Sequence, residues 1–135
     1  MSKTVLINPQ ITINGVNLSS WCDQVALEEV YADVDDTGFG SGSKTRIAGL
    51  GDHKFTLEIQ QDFAGSATEA TLYPLVGTVV AISLLPLAQA TSSTNPSYSF
   101  SALITQWMPL SGKLGDLEKA SVSWPVSGPV TKAIA

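Results

Sequence analysis

The chain has 135 residues, of which 44% are hydrophobic and 14% charged, and 12 acidic against 7 basic side chains leave a formal net charge of −5. That is the length of one ordinary domain with enough apolar residues for a core, which excludes a disordered chain. The lack of a basic cluster excludes a protein that grips nucleic acid by its phosphates, and the single cysteine, Cys22, excludes an intrachain disulfide or a multi-cysteine zinc site.

In chain order, Val5-Leu6-Ile7 is the only apolar run before Asn8-Pro9, too short for the core of a signal peptide. Residues 10–18 read as a small hairpin whose turn is Asn14-Gly15, two residues that tolerate the positive φ of a type I′ turn. Cys22 is expected to be a small buried hydrophobe. Val25, Leu27 and Tyr31 alternate with Ala26, Glu28 and Ala32 in a second strand. Phe55, Leu57 and Ile59 alternate with Lys54, Thr56, Glu58 and Gln60 in a third. Ser66 and Glu69 form a capping box ahead of a helix from Ala67 to about Tyr73, which Pro74 and Gly77 end. Residues 78–85 form a continuous apolar run suited to a strand buried on both faces; the longer run from Val79 to Ala88 is interrupted by Ser83 and Pro86 and cannot span a bilayer. Tyr98, Phe100, Ala102 and Ile104 mark one face of a further strand, with Leu103, Thr105 and Trp107 on the other. Ala120, Val122, Trp124 and Val126 mark the last. Turn signals lie at Thr94-Asn95-Pro96, 109–112 and Gly115-Asp116. The expectation is a single mostly β domain over 1–135, an antiparallel sandwich or barrel with one short α-helix, made in a cytoplasm, soluble there and without a membrane.

Residues 33–51 fit a packed domain least. They carry five glycines and only Phe39, Ile47 and Leu50 as large apolar side chains, too few for a core of their own. Ordering backbone costs about 1–2 kcal/mol per residue, and structureless loops of this length are uncommon unless they function or are disordered. Asp33, Asp35 and Asp36 stand at one end, Lys44 and Arg46 toward the other. The charges can close a long hairpin on itself or dock it on another subunit. Docking is the reading adopted, with an arm that orders on assembly, because an isolated two-stranded arm is marginal in water.

Several chemistries are nearly spelled here. Asp36-Thr37-Gly38 matches an aspartic-protease triplet, but an acidic segment replaces the apolar strand that should hold it. Residues 38–45 approach a phosphate loop but place Ser43 where glycine must precede the lysine, and no helix follows. Asp33 opens an approximate calcium loop whose twelfth position is Lys44 instead of glutamate. His53, the sole histidine, reads as a surface residue at a strand start, without a nucleophile elbow to partner it. Trp21, Trp107 and Trp124 are expected to pack in the core or an interface instead of forming a sugar platform. No catalytic residue, cofactor or metal is expected, and a charge content well below the typical ~25% suggests surface covered by a partner.

A series of short motifs runs through most of the chain: Asn14-Gly15, Leu18-Ser19-Ser20-Trp21, Phe39-Gly40, Arg46-Ile47-Ala48-Gly49-Leu50, Gln61-Asp62-Phe63, Leu72-Tyr73-Pro74-Leu75-Val76-Gly77-Thr78, Thr94-Asn95-Pro96, Ser111-Gly112, Gly115-Asp116-Leu117 and Val122-Ser123-Trp124-Pro125. In this order, from about Ile11 to Thr131, they resemble the major tail tube protein of long, non-contractile-tailed bacteriophages. The resemblance implies a β-sandwich with a flanking helix that builds rings, usually hexameric, stacked into a tube through which DNA leaves the virion. It implies as partners further copies of the chain and other tail proteins, such as the tape measure, tail terminator and distal tail protein. It makes 33–51 the inter-subunit arm, with Asp33, Asp35, Asp36, Phe39, Lys44, Arg46 and Leu50 as contact residues. The immunoglobulin-like C-terminal domain of some relatives is not expected here. An acidic bore that repels phosphates would suit such a conduit, and Glu28, Glu29, Glu58 and Glu118 are candidates to line it. The alternatives are a virion decoration or carbohydrate-binding module of similar fold, and an aspartic-protease-like enzyme using Asp36.

Overall fold

Asn14 (φ 53°) and Gly15 (φ 82°) make the expected left-handed turn between strands β1 (Gln10–Ile13) and β2 (Val16–Asn17). The computed structural model describes residues 5–65 and 67–134. Within them the chain continues through β3 (Cys22–Glu28), β4 (Tyr31–Asp35), β5 (Arg46–Gly51), β6 (Lys54–Gln60), α1 (Thr68–Leu72), β7 (Val79–Leu85), β8 (Ser97–Leu103), β9 (Lys119–Pro125) and β10 (Thr131–Ala133). A five-stranded sheet has the order β10-β8-β7-β1-β2 and a three-stranded sheet the order β3-β6-β9, while β4 and β5 pair only with each other. Every pairing is antiparallel. The fold is mostly β with one short helix, as the period-two patterns predict.

The two larger sheets share one core. Phe55, Leu57 and Ile59 of β6 and Ala120, Val122 and Trp124 of β9 face Ile11, Ile13, Ile82, Phe100 and Ala102 of the five-stranded sheet. Phe55 sits between Phe100 (centroids 5.3 Å) and Trp124 (6.0 Å), tilted against both. Trp124 is fully buried and its Nε1–H donates to the Gln106 carbonyl at 2.7 Å. A bridge between Ala102 and Val126 stitches the sheets together at one end.

Three local expectations change. β7 is buried on one face only: Val80, Ile82 and Leu84 point inward, while Val79, Ala81, Ser83 and Leu85 lie on the outer face. The apolar run arises because three of the four outer positions, Val79, Ala81 and Leu85, are apolar as well. The long second strand is two strands, β3 and β4, parted at Glu29-Val30. β8 ends at Leu103, so Thr105 and Trp107 follow it in an irregular segment. Ser66 of the capping box lies outside the described residues. Ala67 is the N-cap of α1, and the Glu69 carboxylate accepts Trp107 Nε1–H at 3.0 Å and the Gln61 amide at 2.9 Å. A 3-10 turn over Tyr73–Leu75 and Gly77 (φ 86°) complete the exit.

Candidate functional site

β4 and β5 leave the body as a ribbon, which we call the arm. Residues 33–51 are therefore no structureless loop. The register Asp33↔Ala48, Val34↔Ile47, Asp35↔Arg46 holds the strands, with a bulge between Tyr31 and Asp33. Alternation gives the ribbon two chemically different faces. Asp33, Asp35 and Arg46 share one, where Arg46 Nε meets Asp33 Oδ2 at 3.1 Å. Ala32, Val34 and Ile47 share the other. A Cβ on Gly49 would stand 3.0 Å from both Ala32 Cβ and Val34 Cγ2, so this glycine lets the apolar face stay flat. Among the described residues nothing covers that face: Val34 is 43% and Ile47 55% exposed.

The tip, 36–45, is held by its own polar groups. Asp36 N–H donates to the Thr45 carbonyl at 3.0 Å, Thr45 N–H to the Thr37 hydroxyl at 2.9 Å, and the Thr45 hydroxyl to Asp36 Oδ1 at 2.7 Å. Hydrogen bonds from the Thr37 hydroxyl and the Thr37 N–H hold the Asp35 carboxyl below its usual value. Gly40 (φ 85°) turns the loop, and Phe39 beside it is fully exposed. Lys44 is exposed in the same loop. The seven predicted arm residues are thus brought onto one projection, divided between its charged face, its tip and β5. The near-motifs take ordinary places there. Asp36 is an exposed tip residue bonded to Thr45, and 38–45 is a tip followed by a strand. Among the described residues no three His, Cys, Asp or Glu side chains gather in a way that could hold a metal.

No family model matches this chain, and no curated protein matches it either. The reading of the arm therefore rests on its own geometry.

The four acidic candidates do not form one row. Glu28 ends β3 opposite Lys54. Glu29 is exposed in the link to the arm. Glu58, on the outer face of β6, shares Lys119 with Asp23: Nζ lies 2.9 Å from Asp23 and 3.4 Å from Glu58. The hydrogen bond to Asp23, then its charge, then Glu58 raise the Lys119 ammonium above its usual value. Glu118 turns to a loop and accepts Ser111 N–H at 3.1 Å. Two of the four are therefore engaged within the chain.

His53 is the largest departure from the sequence reading. It is not a surface residue but 3% exposed, because the arm's first residues fold over it: Tyr31 meets its ring edge-on with centroids 5.2 Å apart. Cys22 is half-buried, donates to the Leu18 carbonyl at 3.2 Å, and desolvation with the Asp23 charge pushes its thiol up to about 12. Trp21 and Trp107 pack against the core with their N–H groups on Asp62 and Glu69.

The apolar ribbon face is what the sequence reading missed, since only Ile47 was singled out. Its signal was present: apolar 32, 34 and 47 alternate out of step with charged 33, 35 and 46.

Elsewhere, the outer face of the five-stranded sheet forms a shallow trough of about 570 Å³ lined by Thr12, Ala81, Ser83, Ser99, Ser101 and Thr131. No helix among the described residues is long and apolar enough to cross a membrane.

Proposed function

We propose that the chain is a non-enzymatic structural subunit that assembles with copies of itself, the arm of one copy lying on the next, into stacked rings that form the tail tube of a bacteriophage. The observation that carries this is the uncovered apolar face of the arm. A ribbon with one partnerless apolar face and one charged face is marginal alone, and edges and faces of this kind template contact with another chain. An arm that docks on a different surface of its neighbour makes a heterologous contact, and such contacts build rings or open stacks. The net charge of −5 per copy suits a conduit that lets a polyanion pass without holding it.

Negative-stain microscopy of the purified chain tests this directly. Rings or tubes with a central hole are expected, and Ile47→Lys should abolish them while the far-ultraviolet circular dichroism stays unchanged. A single compact particle at every concentration, or tubes indifferent to Ile47→Lys, would defeat the reading.

A further inference from the structure

The chain crosses between body and arm twice at one joint, outward through Glu29-Val30 and back through Asp52-His53. The crossings are tied to each other: Asp52 N–H donates to the Val30 carbonyl at 2.7 Å, and Val30 N–H donates to His53 Nδ1 at 3.1 Å. A ring nitrogen can accept an N–H only when it carries no proton, so His53 sits in this joint as a neutral imidazole with its proton on Nε2. The ring has little room to adjust. A Cβ on Gly51 would stand 2.8 Å from Nε2 and 2.9 Å from both His53 Cε1 and Tyr31 Cε1, so the two rings rest on bare backbone. The same residue is anchored to the body, where the His53 carbonyl accepts Val126 N–H at 2.9 Å.

We propose that His53 is a proton-sensitive latch that fixes the arm to the body, closed with the neutral ring and released when the ring takes up a proton. This goes beyond the assembly reading and does not depend on it, since every contact named lies within one chain. Protonation from solvent puts a hydrogen on Nδ1 that faces the Val30 N–H. The joint then loses its acceptor, leaves a buried backbone donor unpaired and encloses a charge. The charged and titratable groups on the elements around the ring are Glu28 of β3, Glu29 of the link, Tyr31 and Asp33 of β4, Arg46 of β5, and Asp52 and Lys54 beside it. Asp33 and Arg46 pair with each other, and among the described residues no carboxylate forms an ion pair with His53. β9 and Val126 bring no charge near the anchored carbonyl. The latch is closed while the ring is neutral and opens when the ring is protonated.

Because His53 is the sole histidine, its titration can be read without interference from another imidazole. Hydrogen exchange of the whole chain, followed by mass spectrometry and corrected for intrinsic rates, reads the joint through peptides spanning 28–36 and 47–54. Protection of those peptides should drop between about pH 7.5 and 5, while peptides from β6 and β9 keep theirs. His53→Asn places an amide oxygen where Nδ1 lay, and this acceptor does not titrate, so the variant should lose the pH dependence and keep the protection. Should that variant fail to fold, nitrogen chemical shifts of the wild-type ring at about pH 7.5 decide the matter, with an unprotonated Nδ1 expected. A proton on Nδ1, arm-base protection unchanged in acid, or equal loss of protection in β6 and β9 would each overturn the latch.

Discussion

β5 and β6 are separated only by Asp52 and His53, and both are paired antiparallel strands, yet they live in different surroundings. β6 has a neighbour on each side and a second sheet beneath it, so Phe55, Leu57 and Ile59 are all fully buried. β5 has one neighbour and, among the described residues, nothing beneath it, so Ile47 and Leu50 stay largely exposed. The difference separates two properties that strand pairing usually joins. Hydrogen bonding defines both strands, but apolar burial, worth roughly 25 cal/mol per Å², stabilises only the first. The body can hold its shape by itself, and the arm keeps its apolar surface available.

The largest effect should come from removing a side chain that the body encloses. Trp124→Ala deletes a fully buried ring against Phe55 and leaves the Gln106 carbonyl without its donor. A loss of about 3–5 kcal/mol in urea unfolding is expected. The arm's fully exposed Phe39, changed to alanine, should cost within about 0.5 kcal/mol in the same assay. Equal losses at the two sites would abolish the contrast between the regions.

This contrast also explains how far the sequence could be read. The alternation at Lys54–Gln60 and Lys119–Pro125 identified the core faces because each of those strands has one wet and one dry side. At Val79–Leu85 the same rule failed, since Ala81 and Ser83 are small enough to suit either side and the pattern looked uniformly buried. A hairpin arm was legible from glycines and sorted charge, but its register was not. Its pairing depends on a bulge near Tyr31 and on tip hydrogen bonds among Asp36, Thr37 and Thr45, which no period reveals. His53 was misread because a lone histidine between Asp52 and Lys54 looks solvated. Its burial follows from Tyr31, distant in sequence, packing against it.

Two arm glycines, one at the joint and one in the tip, give an intermediate effect. At Gly51 an added Cβ meets His53 and Tyr31 within 3 Å, whereas at Gly42, in the tip, it meets nothing within 4 Å. Gly51→Ala should cost about 1–3 kcal/mol as the rings are pushed apart. Gly42→Ala should be neutral, or stabilising by up to about 1 kcal/mol through the unfolded chain. Thermal unfolding of the two variants measures the difference, and limited proteolysis should find the arm base newly cleaved only in the first. Matching behaviour would mean that the joint is not packed as tightly as its geometry requires.

The smallest effect is expected where the arm's charges meet. The Arg46 and Asp33 side chains are 55% and 65% exposed, so water screens the pair and it contributes about 0–1 kcal/mol. Arg46→Gln should therefore leave unfolding within that range, and added salt should shrink even this small difference. A loss above about 2 kcal/mol would show that the pair, and not hydrogen bonding across the ribbon, holds the arm in shape. A small loss in the single chain combined with failed assembly would have a different meaning: the charged face matters for what it meets outside the chain, while the ribbon's own shape is set by its register and its glycines.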